Sequence, residues 1–161
     1  MFAWLKRLLG RKWKSRLGES PRATSETGRR GEQLARAYLK ERGYRILAAN
    51  WRSPSDRRDE IDLVALDSEV LVFVEVKTRA AAALVSGRYA VDARKKRALR
   101  RAAYAYLHGL AKVPHSVRFD VVEVALPKAD SGGKAGEPTV RHFKAVPLFP
   151  KTLRLRRAPY L

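Results

Sequence analysis

The sequence predicts an α/β domain in which a mixed central sheet is flanked by helices. Three observations lead there. The stretch Val70-Leu71-Val72-Phe73-Val74 is apolar at every position, as a strand covered on both faces must be. Two segments, about Gly28–Arg42 and Asp92–His108, repeat apolar residues at the spacing of one helical face. The remaining apolar runs are short and bounded by Gly, Pro, Asn or Asp, which marks strands joined by turns. A chain of 161 residues suits one domain with its own core, and a hydrophobic fraction of 45% fits a folded chain.

The elements follow in order. Over residues 1–23, Phe2, Leu5, Leu9, Trp13 and Leu17 recur mostly four apart, with Lys6, Arg7, Arg11, Lys12, Lys14 and Arg16 on other faces. This predicts a basic amphipathic helix and then a Glu19-Ser20-Pro21 linker. The helix suits a membrane surface, a partner groove or a phosphate backbone, and equally a solvated extension. The folded domain is expected over 24–147. Its first helix has the stripe Leu34, Ala35, Tyr38 and Leu39, with Thr27 as N-cap and Gly43 just past its end. Glu32 lies at the edge of that stripe, where its carboxylate can reach the buried side. A short strand at Tyr44–Ala49 precedes a polar loop, Asn50–Asp59. Strands over about Glu60–Leu66 and Val70–Lys77, joined by Asp67-Ser68-Glu69, have the spacing of a β-hairpin. An Ala-rich loop follows. The second helix is then capped by Asp92 and stopped by Gly109, and carries the stripe Leu99, Ala102, Ala103, Tyr106 and Leu107. A strand near Val117–Leu126, a Gly-rich loop at Asp130–Pro138 and an edge strand at Thr139–Val146 complete the domain. Residues 148–161, with Lys151, Arg154, Arg156 and Arg157 and no acid, read as a basic tail.

Charge narrows the partners. Against 35 Lys and Arg stand 16 Asp and Glu, a net charge of +19, so nucleic acid is the first partner expected and an anionic membrane the second. The absence of cysteine excludes disulfides and thiolate metal sites. No apolar run reaches the roughly 20 residues that span a bilayer. The start, Met1-Phe2-Ala3-Trp4-Leu5-Lys6-Arg7, lacks a secretory signal's apolar stretch, and a cytoplasmic location is expected. No Gly-rich phosphate loop or Ser/Cys nucleophile arrangement is present, and His108, His115 and His142 lack ligand-like spacing.

The chemistry concentrates in Glu60-Ile61-Asp62 and Glu75-Val76-Lys77. Residues two apart on a strand share a face, so Glu75 and Lys77 follow Leu71 and Phe73 on a buried side, where each charge needs a partner. Pairing of the hairpin brings Asp62 toward Glu75, and two converging carboxylates repel until a positive charge sits between them. Mg²⁺ or Mn²⁺, which takes oxygen ligands and keeps waters, meets that need, with the backbone carbonyl of Val76 as a further oxygen. Lys77 could then orient an attacking water or stabilise charge on a phosphate. A buried Glu75–Lys77 ion pair that only finishes the strand is the alternative.

Several further stretches occur together: Gly31-Glu32 with Ala35, Tyr38-Leu39 and Gly43-Tyr44, then Ile46-Leu47 and Asn50-Trp51-Arg52. Glu60-Ile61-Asp62-Leu63-Val64-Ala65, Val72-Phe73-Val74-Glu75-Val76-Lys77-Thr78-Arg79 and Arg118-Phe119-Asp120-Val121 join them. In this joint pattern, from about Gly28 to Val146, the chain resembles the YraN-type family of bacterial endonuclease-like proteins. That family is similar to the wider PD-(D/E)XK nucleases, particularly archaeal Holliday-junction resolvases. The resemblance implies a restriction-endonuclease-like αβββαβ core and a site of Glu32, Asp62, Glu75 and Lys77. Two departures stand out: Asp59 where a Gly usually precedes the Glu-Ile-Asp triplet, and the Ala-rich loop after Lys77.

Lys95 and Lys96 extend the buried stripe of the second helix toward its start, where they could grip a phosphate backbone, with Arg94, Arg97 and Arg101 as the outer wall. Arg52 and Arg79 flank the motifs and join this nucleic-acid set. Trp51 either stacks on an unpaired base or anchors the core edge. The expected function is a Mg²⁺- or Mn²⁺-dependent endonuclease for DNA, branched or single-stranded, with Asp62 and Glu75 on the metal and Glu32 assisting. A nucleic-acid-binding protein without catalysis is the alternative. Junction cleavage would call for a homodimer, and a peripheral membrane role through Phe2–Leu17 is the third expectation.

Overall fold

The computed structural model describes residues 26–80, 93–112, 114–127 and 136–150. The expected N-terminal amphipathic helix, the Ala-rich loop with Asp92, most of the Gly-rich loop and the tail from 151 lie outside the described residues. The described elements run α1 (Glu26–Glu41), β1 (Arg45–Arg52), β2 (Glu60–Asp67), β3 (Val70–Ala80), α2 (Ala93–His108), β4 (Ser116–Leu126) and β5 (Thr139–Phe143). The strands form one mixed sheet in the order β1-β2-β3-β4-β5. Only β3 and β4 pair in parallel among these neighbours, from Val70↔Ser116 to Ala80↔Leu126, and a parallel pair needs a crossover, which α2 provides. This is the αβββαβ order of a restriction-endonuclease-like core, with β5 added at the edge.

β3 is central because both its faces are covered. Val72 and Val74 meet Ala35 and Leu39 of α1, together with Leu63, Val122 and Val124. Leu71 and Phe73 face the other way, onto Leu99, Ala102, Ala103 and Tyr106 of α2. Each fully buried side chain of this size contributes about 1.5–3 kcal/mol, so an all-apolar strand is what this position demands. Trp51 anchors the α2 side of the core, with its ring edge-on to Tyr106 at 5.3 Å. Leu148 and Phe149, the start of the stretch read as a tail, also pack there, Phe149 against Phe73 and Tyr104.

Local differences from the expected boundaries have local causes. Thr27 lies inside α1, which starts one residue earlier. At its other end the Gly43 N–H bonds to the Lys40 carbonyl and the Tyr44 N–H to the Leu39 carbonyl, a Schellman closure. Gly43 supplies the left-handed residue this closure needs, at φ 81°. β1 continues to Arg52 because Asn50, at φ 50°, carries the strand through an irregularity. β5 stops at Phe143 because Ala145 turns its N–H onto Asp120 and Val146 bonds to the Phe119 carbonyl. Among the described residues, no helix is long and apolar enough to cross a membrane.

Candidate active site

Both helices begin at the end of the sheet where β3 finishes. α1 comes close because Gly31 is buried directly against Thr78, with no side chain of its own to hold the two apart. α2 delivers Lys95 to Glu75. The end of β3 therefore lies between two helix N-termini, on opposite faces of the sheet.

Glu75 is the buried centre, at 3% exposure. Its Oε1 lies 3.1 Å from Lys77 Nζ and 3.3 Å from Lys95 Nζ. Its Oε2 is buried without a hydrogen-bond partner.

Asp62 reaches this point through a break in strand alternation. Ile61 packs in the α2-side core and Leu63 in the α1-side core, although residues two apart on a strand normally share a face. Trp51 and Ala49 divide in the same way, and the register pairs Ala49 with Leu63 and Trp51 with Ile61. The two strands thus change faces together at Asn50 and Asp62, where the left-handed backbone of Asn50 permits the kink. Asp62 Oδ2 accepts the Val76 N–H at 2.7 Å. Burial pushes the Asp62 carboxyl up to about 7, the Glu75 charge adds to the rise, and the Val76 bond and Lys95 oppose it. Glu32 lies close enough to raise it further. Glu32 is itself oriented by Asn50, whose Nδ2 donates to Oε2 at 3.1 Å. Burial opposes the Lys95 ammonium, but the charges of Glu75 and Asp62 outweigh it and hold the group above its ordinary value.

The structure therefore brings Glu32, Asp62, Glu75 and Lys77 to one end of the sheet and adds Lys95 and Asn50. Val76 meets Asp62 through its N–H. The other basic residues divide. Arg52 pairs with Glu60 at 3.2 Å and Arg79 with Glu123 at 3.6 Å. Arg101 grips the buried Asp59 with two bonds, at 2.8 and 2.6 Å, so the acid that replaces the usual Gly ties its loop to α2. Arg94 and Arg97 are exposed on the first half of α2, and Lys96 is half-buried beside them.

A second polar cluster escaped sequence reasoning. Asp120 is fully buried and accepts from Arg118 Nε at 2.8 Å, from the Ala145 N–H at 2.9 Å, and pairs with His142 Nε2 at 3.0 Å. Arg118 continues to Asp67 at 2.8 Å and the Tyr44 hydroxyl at 2.9 Å, and the rings of Tyr38 and Tyr44 stand edge-on to His142. Burial resists the Asp120 charge, yet these donors hold its carboxyl below the usual range. The available signal was Arg118 and Asp120 two apart on one strand, and so on one face of it. Every partner is satisfied, and the cluster fastens β5 to the sheet.

Two features of the sheet end suit a divalent cation: the partnerless Glu75 oxygen and the repulsion between Glu75 and Asp62. Among the described residues no three His, Asp or Glu side chains gather as a metal cluster. Two carboxylates with backbone, water and substrate oxygens make up a Mg²⁺-type shell, and the residues present fit that pattern.

Residues 31–124 match the family described as Uncharacterised protein family UPF0102. A UPF0102 protein of Anaeromyxobacter dehalogenans is 44% identical over 118 residues, 73% of this chain and 81% of the relative. One from Chlorobium chlorochromatii is 42% identical over 124 residues, covering 77% and 92%. Another, from Symbiobacterium thermophilum, is 50% identical over 97 residues, covering 60% and 80%.

Proposed function

The chain belongs to the UPF0102 family, the YraN-type family its motifs resemble, and on that footing we propose that it is a divalent-metal-dependent endonuclease hydrolysing DNA phosphodiester bonds, with branched or single-stranded DNA as substrate. The observation that carries the reading is Glu75. It is buried at a strand end beside a second carboxylate, with two ammonium groups on one oxygen and nothing on the other. A purely structural ion pair would need neither the second acid nor the second lysine.

Asp62 and Glu75 would hold Mg²⁺ or Mn²⁺ together with the Val76 carbonyl. When bound, the ion supplies Lewis-acid activation of the phosphate and a nucleophilic water at neutral pH. Lys77, fixed on the same strand as Glu75, orients that water. Asn50 holds Glu32 toward Asp62, so that a third acid supports the site from α1. In the net reaction the water's hydroxyl bonds to phosphorus, one P–O ester bond breaks, and the water's proton ends on the leaving oxygen. The net charge of +19 and the exposed Arg94 and Arg97 supply phosphate attraction without sequence choice. A homodimer would set two such sites on a junction.

The test is cleavage of plasmid, single-stranded and four-way-junction DNA with Mg²⁺ or Mn²⁺ against a chelator, with Glu75→Ala purified identically. Metal-dependent cleavage, lost in the variant while DNA binding remains, is the expected result. The two ammonium groups already on Glu75 favour one second reading, a nucleic-acid-binding protein that does not cleave, in which they alone neutralise the buried acid. Folded protein that binds DNA but cuts none of these substrates in either metal would establish it in place of the nuclease.

A further inference from the structure

Lys95 is the basic residue of α2 seen at the Glu75 carboxylate. Its Nζ shares Glu75 Oε1 with Lys77 Nζ, at 3.3 and 3.1 Å, while Oε2 of the same carboxylate stays buried and unbonded. One ammonium would neutralise Glu75, and the second answers the charge of Asp62. Glu75 and Asp62 thus face two lysines, which are mounted on different elements. Lys77 projects from β3 itself, two residues from Glu75. Lys95 reaches in from a separate element, the first turn of α2, and makes the longer contact; the two side chains are equally open to solvent, at 35% for Lys95 and 34% for Lys77. Lys77 shares its strand with Glu75, so of the two it is Lys95 that can leave the carboxylate without disturbing the strand that holds it.

We propose that Lys95 is a displaceable counter-ion of the site: without a metal it neutralises Glu75, and when a divalent cation takes Glu75 it passes to a non-bridging oxygen of the bound phosphate. The inference rests on the nuclease reading for both metal and phosphate. Its physical basis is simple. A doubly charged ion arriving at Glu75 repels the ammonium already there, and in the complex the phosphate is the anion at hand. Lys95 thus carries a phosphate contact that exists only once the metal is in place, so that tight substrate grip waits for the cation.

Lys95→Met removes the charge and keeps a stem of similar length, and Lys95→Arg keeps the charge. The full chain is titrated with Mn²⁺ alone by calorimetry. It is then titrated against labelled duplex DNA over a range of NaCl, once in chelator and once in Ca²⁺. Lys95→Met is expected to bind Mn²⁺ several-fold more tightly than the wild type, since no cation has to leave, and Lys95→Arg is not. In chelator the wild type and Lys95→Met show the same slope of log affinity against log salt. In Ca²⁺ the wild-type slope is steeper by about 1, the value of one phosphate contact. Lys112→Met, beyond the far end of α2, controls for net charge.

Mn²⁺ affinity unchanged or weakened in Lys95→Met overturns the counter-ion role. An equal loss of slope with and without Ca²⁺ makes Lys95 an ordinary phosphate contact and overturns the transfer. If neither protein binds DNA, the nuclease reading and the transfer fail together, while the Mn²⁺ titration still decides whether Lys95 competes for Glu75.

Discussion

Asp62 accepts the backbone N–H of Val76 at 2.7 Å, so the residue between Glu75 and Lys77 fastens the second carboxylate of the site. The bond stands where the β2–β3 ladder, last registered at Leu63↔Val74, gives way to side-chain contact. Asp62 is thereby held against Glu75 in spite of their repulsion, and the conflict appears in its titration.

The Asp62 carboxyl, pushed up to about 7, lies well above the roughly 3.9 of an unfolded chain. Between those values the folded protein holds a proton that the unfolded chain has released, so stability falls as pH rises through the window and is level on either side. Asn keeps an acceptor for Val76 without the charge. Asp62→Asn should therefore melt several degrees above the wild type at about pH 8, and match it in acid below about pH 4. Thermal melts across that range check this, and equal melting points at the alkaline end would sink it.

Asp120 gives the opposite slope. Its carboxyl is held below the usual range, so its contribution is complete above the unfolded value and is lost as pH falls through the folded one. Asp120→Ala strands Arg118 and the Ala145 N–H, at about 3 kcal/mol near neutrality, because Arg118 still has Asp67. Urea unfolding should show the gap closing in acid. DNA affinity should be unchanged, since the cluster lies on the α1 face of the sheet and Glu75 meets Lys95 on the α2 face.

Arg101 separates stability from binding. Arg101→Ala leaves Asp59, 4% exposed, without its guanidinium and should lower stability measurably in urea unfolding. In a double-mutant cycle with Asp59→Ala, part of that cost should be recovered. The salt dependence of DNA binding should hardly move. A slope reduced by about 1 would instead make Arg101 a phosphate contact.

Gly31 sets how closely α1 approaches β3. A Cβ there would overlap Thr78 Oγ1 and lie 2.8 Å from Thr78 Cβ and Cγ2. Gly31→Ala should destabilise by about 1–3 kcal/mol through overpacking. It should also weaken any metal-dependent activity, because α1 carries Glu32. Thr78→Ala in the same chain should restore part of both.

β3 could be recognised from residues 70–74 alone, because a strand covered on both faces needs an unbroken apolar run. α1 and α2 showed themselves by one buried stripe each, and Glu75 and Lys77 by the two-residue period that places them on one face. The hairpin brought Asp62 toward Glu75, though not the change of faces at Asn50 and Asp62 that accompanies it. These are short-range regularities, set by the geometry of one strand, one helix or one turn, and a linear sequence carries them whole.

Lys95 at Glu75, Asn50 at Glu32, Arg101 at Asp59 and His142 at Asp120 are of another kind. The last three join residues 18, 42 and 22 positions apart. A lysine on α2 is cationic wherever it points. Whether it meets water, a phosphate or an acid depends on how the helix is rotated on the sheet, and the packing of Leu99, Ala102 and Tyr106 against Leu71 and Phe73 sets that rotation. Periodicity could place the carboxylates at the end of β3, but their partners were chosen by apolar surfaces elsewhere, because burial orients a helix before its charges find one another.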